Sequence, residues 1–302
     1  MTEPNNPLVA LSDHTADVVE RVANSIVAVH GGGRRSSSGI HWRSGVIVTA
    51  QEALERDEGV KLTLPGGRHV EASLVGRDPT TDVAVLRFPP DGLAPAAPTS
   101  VSLRAGQAVL AVGSHEGGPL AAAGIVAFAG GPWQSLRGGT IDSLIRLDMT
   151  LSAAGEGGAL IDAGGRIVGM TVLGPRHRAL AIPSSTIDRT VDLLLARGHV
   201  FRGYLGTGLQ AVARQRQTAA ADTASGARGV LVVSLDPAGP SARAGMLVGD
   251  IITTWSGKPI DRVREVFRLL GPESIGNTVA LGLLRGGAPS EIKVVIGERP
   301  VA

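Results

Sequence analysis

Chemistry in this chain has to come from hydroxyls, imidazoles and carboxylates, because its 302 residues include no cysteine. A thiolate nucleophile, a disulfide and a thiolate metal site are thereby excluded. Ser36-Ser37-Ser38 reads as a polar, flexible hairpin segment. Ser152 stands four residues before Glu156, which lies in the run Gly155-Glu156-Gly157-Gly158. Glycines at this spacing let a loop turn tightly and present backbone amides. Such amides either hold a negative charge or merely keep the loop folded, and the second is the expectation here. Glu156 has no hydroxyl and, when ionised, only accepts hydrogen bonds. None of the seven histidines stands in a motif that pairs it with a serine. His30 and His41 lie near strands and are expected to be surface or packed residues. Gly174-Pro175-Arg176-His177-Arg178 is a short basic stretch, expected as a solvated turn or as a partner for nearby carboxylates.

The elements that must position these groups are mostly β. Ser12 to Asn24 is predicted as a short helix capped by Ser12, with Val18, Val19 and Val22 on one face. From Ser25 the pattern shifts to short β-branched runs: 26–29, 45–48, 60–64, 70–75 and 83–86, with Gly66-Gly67 marking a hairpin. A proline linker, 89–98, precedes a second set at 108–112, 123–127, 143–147, 159–161, 166–172 and 179–182. Ser184 or Ser185 is expected to cap a helix reaching Arg197, with Gly198 as its stop. Residues 203–297 then mix strands at 229–235, 250–255, 278–285 and 290–296 with helices at 241–244 and 262–270. Two all-β halves closed by a helix suggest paired barrels.

Composition agrees. Charged residues are 19% and apolar residues 43%, which suits a folded chain, and the 42 glycines and 18 prolines supply turns between short strands. A net charge of +2 with no basic cluster among aromatics argues against nucleic-acid binding. No apolar stretch is long enough to span a bilayer. Met1 to Ala10 shows neither a basic start nor an apolar run, so a cytoplasmic location is expected, with the periplasm as the alternative.

Three segments resemble the HtrA/Deg family where that family keeps its catalytic triad. Val48-Thr49-Ala50-Gln51-Glu52-Ala53-Leu54 matches the histidine motif but carries Glu52 in its place. Asp78-Pro79-Thr80-Thr81-Asp82-Val83-Ala84-Val85-Leu86 matches the aspartate motif, with Asp82 in the triad position. In Leu147 to Leu160 the nucleophilic serine is replaced by Glu156. Pro237 to Ile252 resembles the family's PDZ core, and Gly203-Tyr204-Leu205-Gly206 its carboxylate-binding loop. The resemblance implies a mostly β fold: a trypsin-like double β-barrel followed by one α+β PDZ domain. Its bounds are an N-terminal helix or extension over 1–24, the double barrel over 25–200 (barrels about 25–90 and 100–183, closing helix 185–197) and the PDZ domain over 203–297.

The implied mechanism needs a hydroxyl, an imidazole and a carboxylate, and two of the three are missing. Glu52 can in principle act as a base, yet it has no matching nucleophile to activate. The expected function is therefore that of a pseudoprotease: an adaptor, regulator or holdase that binds protein C-termini or unfolded peptides through its PDZ domain. Tyr204, Leu205, Gly206, Thr207, Val263 and Phe267 are the candidate peptide-binding residues. One alternative is an active quality-control endopeptidase using an unrecognised serine. Another is a divalent cation held by Glu52, Asp82 and Glu156; otherwise no cofactor is expected. If those three carboxylates converge, protonation, a folded-in Arg176 or Arg178, or the cation would relieve their repulsion. The family's trimers use an aromatic-rich N-terminal segment, which residues 1–30 lack, so a trimer is not expected.

Overall fold

The computed structural model describes residues 6–32, 36–90, 92–135, 137–198, 200, 202–213 and 228–299. Residues 1–5 of the expected N-terminal extension and Asp91 of the expected linker lie outside them. The chain divides into two compact units, 1–135 with 140–200, and 136–139 with 201–302.

The first unit opens with helix α1 (Pro7–Ala23). It starts earlier than the predicted Ser12, because the Asn6 side chain accepts from the Leu8 amide and Pro7 occupies the first turn, where its missing N–H costs nothing. Strands β1 (Ile26–His30), β2 (Ser37–Arg43), β3 (Val46–Ala50), β4 (Val60–Thr63), β5 (His69–Asp78) and β6 (Val83–Arg87) close a barrel in the order β1-β2-β3-β6-β5-β4. A second closed barrel, ordered β11-β14-β13-β12-β7-β8, uses β7 (Ala108–His115), β8 (Gly118–Gly130), β11 (Leu144–Asp148), β12 (Ala159–Asp162), β13 (Ile167–Gly174) and β14 (Arg178–Pro183). The short pair β9 (Trp133–Gln134) and β10 (Thr140–Ile141) was not anticipated. Helix α2 (Ser184–Arg197) ends at Gly198, whose φ of 74° is left-handed as expected. Its N-cap is Pro183, without a side-chain cap: the Ser184 hydroxyl donates to Thr99 and the Ser185 hydroxyl to Asp142.

Burial explains why several strands read as unbroken apolar runs. Val27, Val29, Ile47, Leu62 and Leu86 fill the first barrel, and Val109, Val126, Ile145 and Leu160 the second. Ile26, Val48 and Val85 of the first barrel, Val112, Ile161 and Met170 of the second, Val18 and Val22 of α1 and Ile187, Val191 and Leu194 of α2 form a third cluster. Strands that supply both an interior and this shared core bury both faces, so period-two alternation is lost. Strand β2 was missed altogether. Ser37 and Ser38 lie inside it and are buried, not in a flexible hairpin.

The second unit contains β15 (Gly203–Tyr204), β16 (Thr207–Ala213), β17 (Arg228–Leu235), β18 (Ile251–Trp255), β19 (Lys258–Pro259), β20 (Thr278–Arg285), β21 (Ala288–Val295) and β22 (Gly297–Glu298), with helices α3 (Pro240–Arg243) and α4 (Val263–Leu269). The main sheet runs β16-β17-β18-β20-β21, with β19 on β18, and β15 pairs with β22. Asp250, almost fully buried, accepts two bonds from the Arg285 guanidinium and one from the Leu247 amide. Those donors hold its carboxyl below the usual range, Arg285 most of all. Among the described residues, no helix is long and apolar enough to cross a membrane.

Candidate functional site

Strand β3 ends in a 3-10 turn, Gln51–Ala53, which leaves Glu52 exposed. Asp82 precedes β6 with φ of 57°, a conformation Asp tolerates better than most residues. Its Oδ1 accepts from the Glu52 amide at 2.9 Å and its carbonyl from the Gln51 amide at 3.3 Å. The aspartate thus holds the backbone of position 52 in place, with no imidazole for it to orient.

The Glu156 loop is anchored on three sides. The Ser38 amide donates to the Glu156 carbonyl at 2.8 Å, and the Ser38 hydroxyl donates to the Ala154 carbonyl at 2.5 Å while accepting from the Ser114 amide. The buried Thr171 hydroxyl reaches the Gly155 carbonyl at 2.9 Å. Gly157 has φ of 80°, and a Cβ there would lie 2.3 Å from the Ser38 carbonyl oxygen. The loop's own amides are occupied as well. Gly155 donates to the Ser152 carbonyl, Glu156 to Ala153, Gly157 to Thr171 and Gly158 to Gly155. None of these four is left to stabilise an oxyanion.

The Glu156 side chain is half-buried and its Oε1 accepts from the Leu173 amide at 3.2 Å. Burial pushes its carboxyl above the usual range; the Leu173 amide opposes this, the charge of Glu52 adds to it, and His177 opposes it. The turn Pro175–His177 carries both Arg176 and His177 in left-handed conformations, so the direction of each side chain was not readable from spacing. Asp82 is drawn into the Gln51–Ala53 turn. Among the described residues no three His, Cys, Asp or Glu side chains gather as a metal requires.

The hydroxyls of Ser38 and Ser152 and the imidazoles of His30 and His41, considered from the sequence, are engaged within the fold. Ser38 is buried and bonded on both sides. Ser152 caps its own turn, accepting from Gly155 at 3.3 Å. His41 is buried, accepts from the Gly45 amide and packs edge-on against Phe88. His30 and His69 share the Thr63 hydroxyl, which is itself buried. A cavity of about 650 Å³ in this unit lies instead between α1 and the turns around Gly66 and Gly117.

The second unit carries a different loop. Gly206 turns with φ of 75°, the Leu205 carbonyl accepts from Ser241 and the Gly206 carbonyl from Asp236. Among the described residues, the amides of Leu205 and Gly206 meet no acceptor. Strand β16 is the edge of its sheet, and α4 flanks it. Between them is a narrow groove of about 60 Å³, lined by Gly203, Tyr204, Leu205, Gly206, Thr207 and Leu209 on one side, by Phe267 and Leu270 on the other, and by Arg137, Arg202 and Arg299. The Tyr204 hydroxyl donates to Asp236 at 3.0 Å. Of the candidate residues, Val263 is not in this lining; it packs partly buried on the domain core. Leu209 and the three arginines were not singled out in the sequence. Leu209 lies on an unpredicted strand, and the arginines are distant from the loop motif or outside it.

A trypsin-like peptidase domain model matches residues 37–170, and a PDZ domain model matches residues 203–296. The periplasmic pH-dependent serine endoprotease DegQ of Escherichia coli is 31% identical over 266 residues, covering 85% of this chain and 58% of that protein. The chain spans a little over half the length of the curated relatives first matched. A serine endoprotease structure from Yersinia pestis superposes with a TM-score of 0.71 at 27% identity, covering 94% of this chain and 98% of that one. The HtrA-type protease AlgW with a tripeptide gives 0.68 at 26%, covering 95% and 98%. With its paired six-stranded barrels, its PDZ unit and these relatives, the chain belongs to the HtrA/Deg family of serine endopeptidases.

Proposed function

We propose that this chain is a non-proteolytic HtrA-type protein that binds peptide C-termini through its PDZ groove, as an adaptor or regulator of other proteins. One observation carries the reading: the amides of residues 155–158 are engaged within the fold, whereas among the described residues those of Leu205 and Gly206 meet no acceptor and lie next to β16, the edge strand of its sheet. Loss of the nucleophile alone removes a factor of about 10⁶ from turnover in such triads. A peptide adding a strand to β16 would present its terminal carboxylate to the two open amides and its last side chain to Leu209, Phe267 and Leu270. The tripeptide on AlgW supports this mode by analogy. No cofactor enters the reading.

The test has two arms. The purified chain is expected to leave unfolded casein intact and to take up no fluorophosphonate. Stoichiometric labelling of a serine, abolished by its change to alanine, would establish instead the active endopeptidase that the relatives' names favour. Amidating the C-terminus of a bound peptide should weaken binding about tenfold or more, because a charged acceptor is lost; equal binding would refute terminal capture. For the compartment, the periplasmic names of the relatives support the alternative over the cytoplasmic expectation, for which they offer nothing. Cell fractionation decides between the two.

A further inference from the structure

The cavity of about 650 Å³ in the first unit has no part in the groove or in the Glu156 loop, and its lining is polar. From α1 come Asp17, Glu20, Arg21 and Asn24, whose spacing of three and four residues sets them along one side of the helix. The turns around Gly66 and Gly117 add wall without adding a charged side chain. Ser114 of β7 also lines the cavity and is only 3% exposed. Its amide donates to the Ser38 hydroxyl, but its own hydroxyl has no partner among the described residues. On β7 it shares a face with Leu110 and Val112, which pack in one cluster with Val18 and Val22 of α1, so the hydroxyl points toward the helix and into the cavity. The α1 side chains are unengaged as well. Asp17 and Arg21 are four residues apart, a spacing at which such a pair commonly meets, yet they form no ion pair. The Arg21 guanidinium lies instead against Gly165, at the margin. Glu20 and Asn24 likewise have no side-chain partner among the described residues. Two carboxylates against one guanidinium leave the lining net negative.

We infer that this cavity binds the free N-terminus of a short peptide. An α-ammonium group brings positive charge and N–H donors, for which Asp17 and Glu20 supply acceptors. The carbonyl beside it is an acceptor for the Ser114 hydroxyl, and the first peptide N–H is a donor to the Asn24 carboxamide. Other ligand classes match this lining less well. An anion would meet two carboxylates. A bare cation would leave the proton of the buried Ser114 hydroxyl without an acceptor, which costs free energy. A large apolar molecule would find few apolar side chains in a lining of this kind. The volume lies in the range of small-molecule sites. The inference stands apart from the groove reading, because it concerns the other end of a peptide and residues of the other unit.

The experiment titrates the full chain calorimetrically with triglycine amide, at a pH of about 6.5 where the α-amino group is protonated. The probe has no C-terminal carboxylate, so it lacks the group the PDZ groove is proposed to capture. One molecule is expected to bind per chain. N-acetyl-triglycine amide, which has lost the charged donor, should bind about tenfold or more weaker. Nα-acetyl-lysine amide keeps an ammonium group but not next to a carbonyl, and should also bind about tenfold weaker. Asp17 and Glu20 are exposed on α1, so Asp17→Asn with Glu20→Gln should keep the melting temperature and weaken triglycine amide about tenfold. Ser114→Ala removes a hydroxyl that bonds nothing in the fold, so it should weaken the probe about threefold or more without loss of stability. No binding of triglycine amide at millimolar concentration overturns the inference, as does equal binding of its acetylated form. Binding that the Asp17 and Glu20 changes leave intact overturns the site, and equal binding of the lysine compound overturns the assignment to an N-terminus. None of these outcomes bears on the PDZ groove.

Discussion

Two glycine-bearing loops in this molecule look alike in sequence and differ in what their backbones offer. Gly155 to Gly158 donates all four of its amides within the fold, and β2 and β13 hold it by its carbonyls. Gly203 to Gly206 engages its last two carbonyls and leaves the amides of Leu205 and Gly206 open. Glycine content therefore does not make an anion site. What matters is which half of each peptide group the tertiary contacts use, because a backbone nest binds charge only through amides that have no other acceptor.

The largest expected effect tests the closed loop. Gly157→Ala forces a Cβ against the Ser38 carbonyl at a left-handed φ, and no flexible side chain can move away to relieve the contact. Unfolding of the double barrel in urea should show a loss of about 3 kcal/mol or more. A near-neutral result would mean that the loop can be rebuilt, and the comparison would weaken accordingly.

The matching change in the open loop should cost less. In Gly206→Ala the new Cβ comes within 2.9 Å of the Gly239 Cα, again at a positive φ. A loss of about 1–2 kcal/mol is expected from the left-handed alanine. Peptide affinity should fall along with stability, since the turn aims both amides, and calorimetric titration of a C-terminal peptide would show it. Unchanged affinity would separate the turn from the site.

The smallest effect sharpens the electrostatics of the cleft. Glu156 has a carboxyl raised by burial and by Glu52, so the folded state binds its proton more tightly than the unfolded chain does. Its favourable contribution is full below the ordinary value of about 4.5 and is lost as pH rises through the raised one. Glu156→Gln should therefore melt about 1–2 °C above the parent at neutral pH, with the difference closing as pH falls toward that ordinary value. A difference that does not change with pH would show that Glu156 is not held this way.

Much of this was legible in the sequence. Valine and isoleucine runs marked most strands, and the three motif segments, in order, carried the fold. Strand β2 was hidden because Ser37, Ser38 and His41 are polar residues buried by partners on other elements, which no local pattern records. The start of α1 was misplaced because Asn6 and Ser12 are equally good caps by type. Val263 followed helical spacing correctly yet faces the core more than the groove.

The residue types at positions 52, 82 and 156 alone determined that none of them supplies an imidazole or a hydroxyl, because chemistry absent from a side chain cannot be restored by folding. Only the tertiary structure decided how the backbone amides are used. It gave those of 155–158 acceptors in their own turn and on β13, and among the described residues left those of Leu205 and Gly206 without an acceptor next to edge strand β16. The reason is that every peptide group carries the same donor and acceptor, so their availability is set by distant partners brought close in space and not by the residues that bear them.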